Sequence, residues 1–177
     1  LSCYLPQTNP ANVLANLQTA YAERKIDQYR KLFAEDFVFV FNPLDPIDPD
    51  HPNPPQWGLA EELSVTENMF TDTLVSKIEL SSYSLGVPER VDSLYYGPRA
   101  RKVRVDEVNL QVYARKEDGT LLTLLVEGAT EGFFFREEPT KPIDGRPTWY
   151  IFRWEDQPIG GRKGETRSWG QVKRLFR

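Results

Sequence analysis

The sequence predicts a single α+β domain: a bent antiparallel sheet with three helices in its N-terminal half. Three observations lead there. Apolar side chains recur at helical spacing between residues 10 and 36, and the run Phe37-Val38-Phe39-Val40-Phe41 then reads as a short strand closed by Asn42-Pro43. From Lys77 onward, long stretches carry β-branched and aromatic residues at strand spacing. With 177 residues the chain can bury a proper core, and four Trp, eight Tyr and ten Phe supply much of its volume.

Taken in order, residues 1–8 read as a tether, 9–158 as the α+β domain and 159–177 as a basic C-terminal segment. Thr8 or Asn9 can cap a first helix, and Pro10 suits its first position because the missing N–H would be unpaired there. Val13, Leu14, Leu17, Ala20 and Tyr21 share one face of it. Asp27 is a candidate cap for a second helix presenting Ile26, Tyr29, Leu32 and Phe33. Both faces of the strand that follows are apolar, which predicts burial on both sides. Prolines at 43, 46, 49, 52, 54 and 55 forbid regular structure and predict an extended loop. Leu59, Leu63, Thr66 and Phe70 then mark a third helix.

The rest reads as β: Lys77–Tyr83, Arg101–Arg115, Leu121–Arg136 and Thr148–Glu155. In the second of these, Val103 and Val105 give way to Val108, Leu110 and Val112, so the buried parity flips near Asp106-Glu107. One inserted residue there, a β-bulge, would bend the strand. Glu117-Asp118-Gly119-Thr120 is a hairpin turn, and Gly128 and Gly132 are places where the next strand can bend. Phe133-Phe134-Phe135 with Trp149, Tyr150, Phe152 and Trp154 load both sheet faces, so the face without helices calls for the C-terminal segment or a second copy of the chain.

A net charge of −4 argues against nucleic acid as a partner. One Cys, Cys3, excludes an intrachain disulfide, and with His51 as the sole imidazole no zinc site of usual composition can form. No cofactor is called for. The tail from Arg162 is basic, to be read as a solvated end or as a patch for an anionic partner.

Tyr29-Arg30-Lys31-Leu32-Phe33-Ala34-Glu35-Asp36-Phe37 and Thr148-Trp149-Tyr150-Ile151-Phe152-Arg153-Trp154-Glu155-Asp156, in this element order, resemble the nuclear transport factor 2-like superfamily. The nearest pattern is that of its SnoaL-like and ketosteroid-isomerase-like branches. The resemblance implies a cone-shaped fold that serves isomerases, dehydratases, carriers and inert partner domains alike. In the isomerases an Asp-Pro pair ends the first strand and its carboxylate moves a proton; here the pair is Asn42-Pro43, and an amide cannot be that base. The Asp–His pair of dehydratase-like members is not matched, since His51 stands in the Pro-rich loop. Leu1-Ser2-Cys3 resembles the end of a bacterial lipobox, which implies an exported protein held at a membrane by a lipid on Cys3; the other reading is a plain chain boundary with a cytoplasmic protein.

The expected ligand site gathers Val40, Asn42, Trp57 and Trp149 at a pocket for a small apolar molecule, with Tyr21, Tyr29 and Glu127 as further lining. Glu127 stands mid-strand, where a carboxylate is costly unless solvated or paired. It reads either as a polar anchor with Arg104 or Arg153 as counter-ion, or as an outward pair with Glu131. The leading function is a non-catalytic small-molecule-binding or partner domain, expected to be a homodimer. The alternatives are an isomerase or lyase for an apolar ring using Asp36 or Glu127 as base, and a structural homodimer with a filled cone.

Overall fold

The computed structural model describes residues 3–45, 56–82, 84–157 and 167–177. Helix α1 (Pro10–Glu23) starts as its sequence dictates: the Asn9 side chain accepts from the Asn12 N–H at 2.9 Å, and Pro10 takes the first turn. It stops at Arg24, whose backbone is left-handed (φ 57°) and whose guanidinium donates to the carbonyls of Phe70, Val75 and Asp72 at 2.6, 2.7 and 3.0 Å. Helix α2 (Ile26–Arg30) is shorter than its apolar spacing suggests. Lys25, not Asp27, is its N-cap, and Leu32 and Phe33 lie beyond it because strand β1 (Phe33–Val40) begins there.

In β1 the side chains of Phe37 and Phe39 are buried while Val38 and Val40 are half-buried, so the strand is fully covered on one face only. Strand β2 (Gln56–Gly58) pairs antiparallel with β1 and feeds helix α3 (Leu59–Thr71), which buries Leu63, Thr66 and Phe70 as their spacing requires. Most of the Pro-rich loop, including His51, lies outside the described residues.

Strands β3 (Val75–Ser81), β4 (Ser84–Leu85) and β5 (Glu89–Arg90), helix α4 (Ser93–Tyr96), strands β6 (Ala100–Arg115), β7 (Leu121–Ile143) and β8 (Arg146–Asp156), and helix α5 (Trp169–Arg174) complete the fold. The sheet order is β2-β1-β8-β7-β6-β3, with β4 and β5 on β6. Every pairing is antiparallel except β1 with β8, which is parallel. Short elements thus occupy the stretch between β3 and β6.

Bulges bend the long strands. The β6–β7 register skips between Val105 and Val108 and again before Leu110, where Glu107 (φ 55°) and Gly128 (φ 62°) take left-handed backbone. The parity flip near Asp106-Glu107 is therefore real. A further irregularity between β7 and β8 at Phe134–Phe135 lets Trp149 and Ile151, then Trp154 and Asp156, face the core. The turn at 117–120 forms as read, with Gly119 at φ 85° and Asp118 accepting from the Thr120 N–H.

The concave side of the sheet carries the main core against α1 and α3. The convex side carries a small cluster of Ala100, Phe134 and Phe152 against Ala34, Val91 and Tyr96. Helix α5 does not cover that convex side. It enters the concave one, burying Trp169, Val172 and Lys173.

Candidate functional site

The cone interior is built from one charged cluster inside an aromatic shell. Glu62 reaches it from the first turns of α3 and is fully buried. Its Oε1 accepts from the Tyr29 hydroxyl at 2.5 Å and the Lys173 ammonium at 2.7 Å, with the Thr66 hydroxyl at 3.4 Å; its Oε2 accepts from the Trp57 indole N–H at 2.8 Å. Four donors on one carboxylate satisfy what burial would otherwise make costly.

Lys173 enters from the other direction, on α5. Ser168 and Gln171 form a capping box that fixes the start of this helix, and Asp156 Oδ2 accepts from the Gly170 N–H at 2.8 Å. A Cβ at Gly170 would lie 2.7 Å from the Phe41 ring and 3.0 Å from Asp156 Oδ2, so only glycine lets the helix approach this closely. The Lys173 ammonium sits 3.7 Å from the centre of the Trp154 ring, 3.9 Å from that of Phe39 and 5.9 Å from that of Trp169. Burial pushes its pKa down, and Glu62, then Glu131 and Asp156, pull it back up.

Glu131 of β7 is also fully buried, with Oε2 accepting from the Trp154 indole N–H at 2.6 Å and Oε1 without a hydrogen-bond partner. Burial, reinforced by the adjacent Asp156, raises its pKa well above the carboxylate range. Asp156 is pushed up to about 6, chiefly by burial and opposed first by the Gly170 N–H. Beside them Tyr21 packs edge-on against Tyr29, Phe70 and Trp169, and its hydroxyl accepts from the Trp169 indole N–H at 3.1 Å. Burial, with the Glu62 charge second, raises the pKa of both tyrosines, so neither is a ready proton donor.

The cleft where Trp169 meets Leu17, Phe133 and Val105 has a volume of about 20 Å³, room for roughly one water.

The expected site is thereby divided. Tyr21, Tyr29 and Trp57 do converge, on Glu62 and Trp169. Val40 is half-buried on the opposite side of β1 from Phe39. Asn42 is a turn residue: its Oδ1 accepts from the Leu44 N–H at 2.9 Å and its Nδ2 donates to the Gln157 carbonyl at 3.4 Å. The Trp149 N–H donates to the Gln7 carbonyl at 2.8 Å, and the Gln7 side-chain amide donates to the Trp149 carbonyl at 2.9 Å. Glu127 is exposed, because the left-handed Gly128 adds a residue between it and Glu131 and turns the two to opposite faces. Its two candidate counter-ions are engaged elsewhere, Arg104 with Asp106 and Arg153 with Glu155. Asp36 is exposed and held bidentate by Arg136 at 2.6 and 3.2 Å.

Glu62, Glu131, Asp156 and Lys173 were not among the expected site residues. Glu131 becomes visible once strand parity is counted through the Gly128 bulge. Trp169 and Lys173, four apart, share a helix face with Val172 nearby, which is the available signal for a helix that buries a lysine.

No protein-family model matches the sequence, and no curated protein sequence matches it. Similarity appears in solved structures. A candidate scytalone dehydratase from Novosphingobium aromaticivorans superposes with a TM-score of 0.58 at 13% identity, over 86% of this chain and 92% of that one. A candidate dehydratase from the NTF2-like family of Streptomyces avermitilis gives 0.54 at 13% identity, over 85% and 94%. A protein with a cystatin-like fold from Caulobacter vibrioides gives 0.52 at 11% identity, over 85% and 87%. At such identities the likeness is one of backbone: the chain has the cone-shaped α+β fold of the nuclear transport factor 2-like proteins.

Proposed function

We propose that this chain is a non-catalytic partner domain on the cone fold, its interior filled by its own C-terminal helix and its convex face given to a second copy of itself. The observation that carries the first half is the seat of α5. Trp169, Val172 and Lys173 occupy the space between the sheet and α3, and each acidic group there is buried and bonded to at least one of the chain's own donors, Glu131 through Oε2. The position that would hold an isomerase's base is an amide, Asn42, tied into a turn.

Support for the second half comes from the convex face. Tyr96 lies against Phe134 and Phe152 at 5.3 and 5.8 Å between ring centres. Leu94 and Tyr95 beside it are 97% and 77% exposed, and neighbouring apolar residues with that exposure gain from being covered. Native mass spectrometry on protein purified from its own host tests both halves. The expected spectrum is a dimer carrying no small molecule, converted to monomer by Tyr95→Glu. A stoichiometric small-molecule adduct on the wild-type chain would contradict the filled cone, and a wild-type monomer would contradict the self-association.

A further inference from the structure

The environment of the Lys173 ammonium is more specific than a salt bridge requires. A surface lysine is content with one carboxylate and water. Here the ammonium faces the aromatic rings of Phe39 and Trp154 within 4 Å of their centres, and its hydrogen-bond acceptor is Glu62, whose orientation is fixed by Tyr29 and Trp57. Asp156 adds negative potential where it is ionised, above about pH 6. Aromatic faces backed by a carboxylate are what protein sites use to hold organic cations stripped of water. Except for Trp169, every one of these groups belongs to the sheet, to α2 or to α3, so the cage does not depend on α5 for its walls.

We propose that the floor of the cone is a recognition site for a primary alkylammonium group, and that Lys173 is its tethered occupant. This rests on the self-filled cone described above but not on the absence of catalysis. Selectivity follows from the walls. The rings accept any cation, whereas Glu62 Oε1 takes an N–H donor at 2.7 Å and thus favours a primary ammonium over a quaternary one. The present occupant is an unbranched, fully buried lysine stem, so the fitting ligand is a short, unbranched alkylamine. In the intact chain such an amine competes with a group held at high effective concentration by the fold, and the site opens only when α5 withdraws.

Chemical rescue tests this in the full-length chain. Lys173→Ala removes three methylene groups and the ammonium, the equivalent of n-propylamine. Thermal unfolding of this variant is followed with n-propylammonium, tetramethylammonium and 1-propanol at constant ionic strength. Propylammonium should raise Tm saturably, by about 3–6 °C at roughly tenfold over half-saturation. Tetramethylammonium should do less, 1-propanol should do nothing, and wild type should not respond. If the variant does not hold its fold alone, the same titration is read as recovery of its near-ultraviolet circular dichroism. Absence of any response to propylammonium, an equal response to 1-propanol, or an equal response in wild type would overturn the proposal. The Glu62→Gln/Lys173→Ala double variant should lose the preference for propylammonium over tetramethylammonium, and retention of that preference would overturn it too. A wild-type monomer in the mass spectrum, which would contradict the self-association in the partner-domain reading, leaves these outcomes unchanged, so the two ideas fail separately.

Discussion

Replacing Lys173 with alanine should destabilise the protein by about 3–5 kcal/mol, a large share of the roughly 5–15 kcal/mol that holds a domain of this kind together. The cost has two sources. Glu62 would keep its buried charge without the ammonium that now hydrogen-bonds it at 2.7 Å, and the rings of Trp154 and Phe39 would border a void where the stem had been. Lys173→Met separates the two, since it refills much of the volume while leaving Glu62 uncompensated. Combining it with Glu62→Gln should recover much of the loss, because a neutral pair of similar volume asks for no desolvation of charge. Denaturant titration of the four proteins measures this directly. A cost below about 1 kcal/mol for Lys173→Ala would be the signature of an ammonium in water, not of one in the core.

The second large effect is a dependence of stability on pH that runs opposite to ordinary acid denaturation. Asp156 titrates near 6 in the folded protein against an ordinary 3.8, and Glu131 is raised as well, both mainly by burial. A carboxyl with a raised folded-state pKa binds its proton more tightly folded than unfolded. Its favourable contribution is complete below the unfolded value and is lost as pH climbs through the folded one. For Asp156 the loss falls between about pH 4 and 6 and amounts to about 3 kcal/mol; Glu131 adds in the same direction. Lys173, whose pKa is lowered, acts at the alkaline end, where deprotonation would regain stability.

Asp156→Asn isolates the acid term. Asparagine keeps an oxygen for the Gly170 N–H and never ionises, so the variant should match wild type near pH 4 and exceed it progressively up to about pH 6. The exposed carboxylates with lowered pKa, such as Asp106 and Glu79, are common to both proteins and cancel in the comparison. Parallel stability curves for the two proteins from pH 4 to 7 would contradict the buried position of Asp156.

Much of the fold was legible because its signals are local. Asn9-Pro10 starts α1, the 59-63-66-70 spacing produces α3, Asp118-Gly119 turns the hairpin, and the switch from Val105 to Val108 betrays the bulge at Glu107. The boundary between α2 and β1 was missed because Leu32 and Phe33 satisfy helical spacing and strand propensity equally, and pairing with β8 decides between them. The site was less legible for a related reason. Glu127 and Glu131 fall in step by counting, and only the left-handed backbone of Gly128 sends one to water and the other to the core. Lys173 lies in a basic tail that reads as solvated. Its burial depends on a carboxylate in α3, far away in sequence, and on a glycine that admits the helix against Phe41. Such pairings are set by tertiary contact and have no local signature.

The central claim, that α5 and its lysine fill the cone, is tested most directly by brief acetylation of the native protein followed by peptide mass spectrometry. Lys116, exposed beside the hairpin turn, should be modified at the rate of a free amine. Lys173, with none of its surface open to solvent, should stay unmodified until denaturant is added. Acetylation of Lys173 in the native protein at a rate comparable to that of Lys116 would place the ammonium in water and contradict the account.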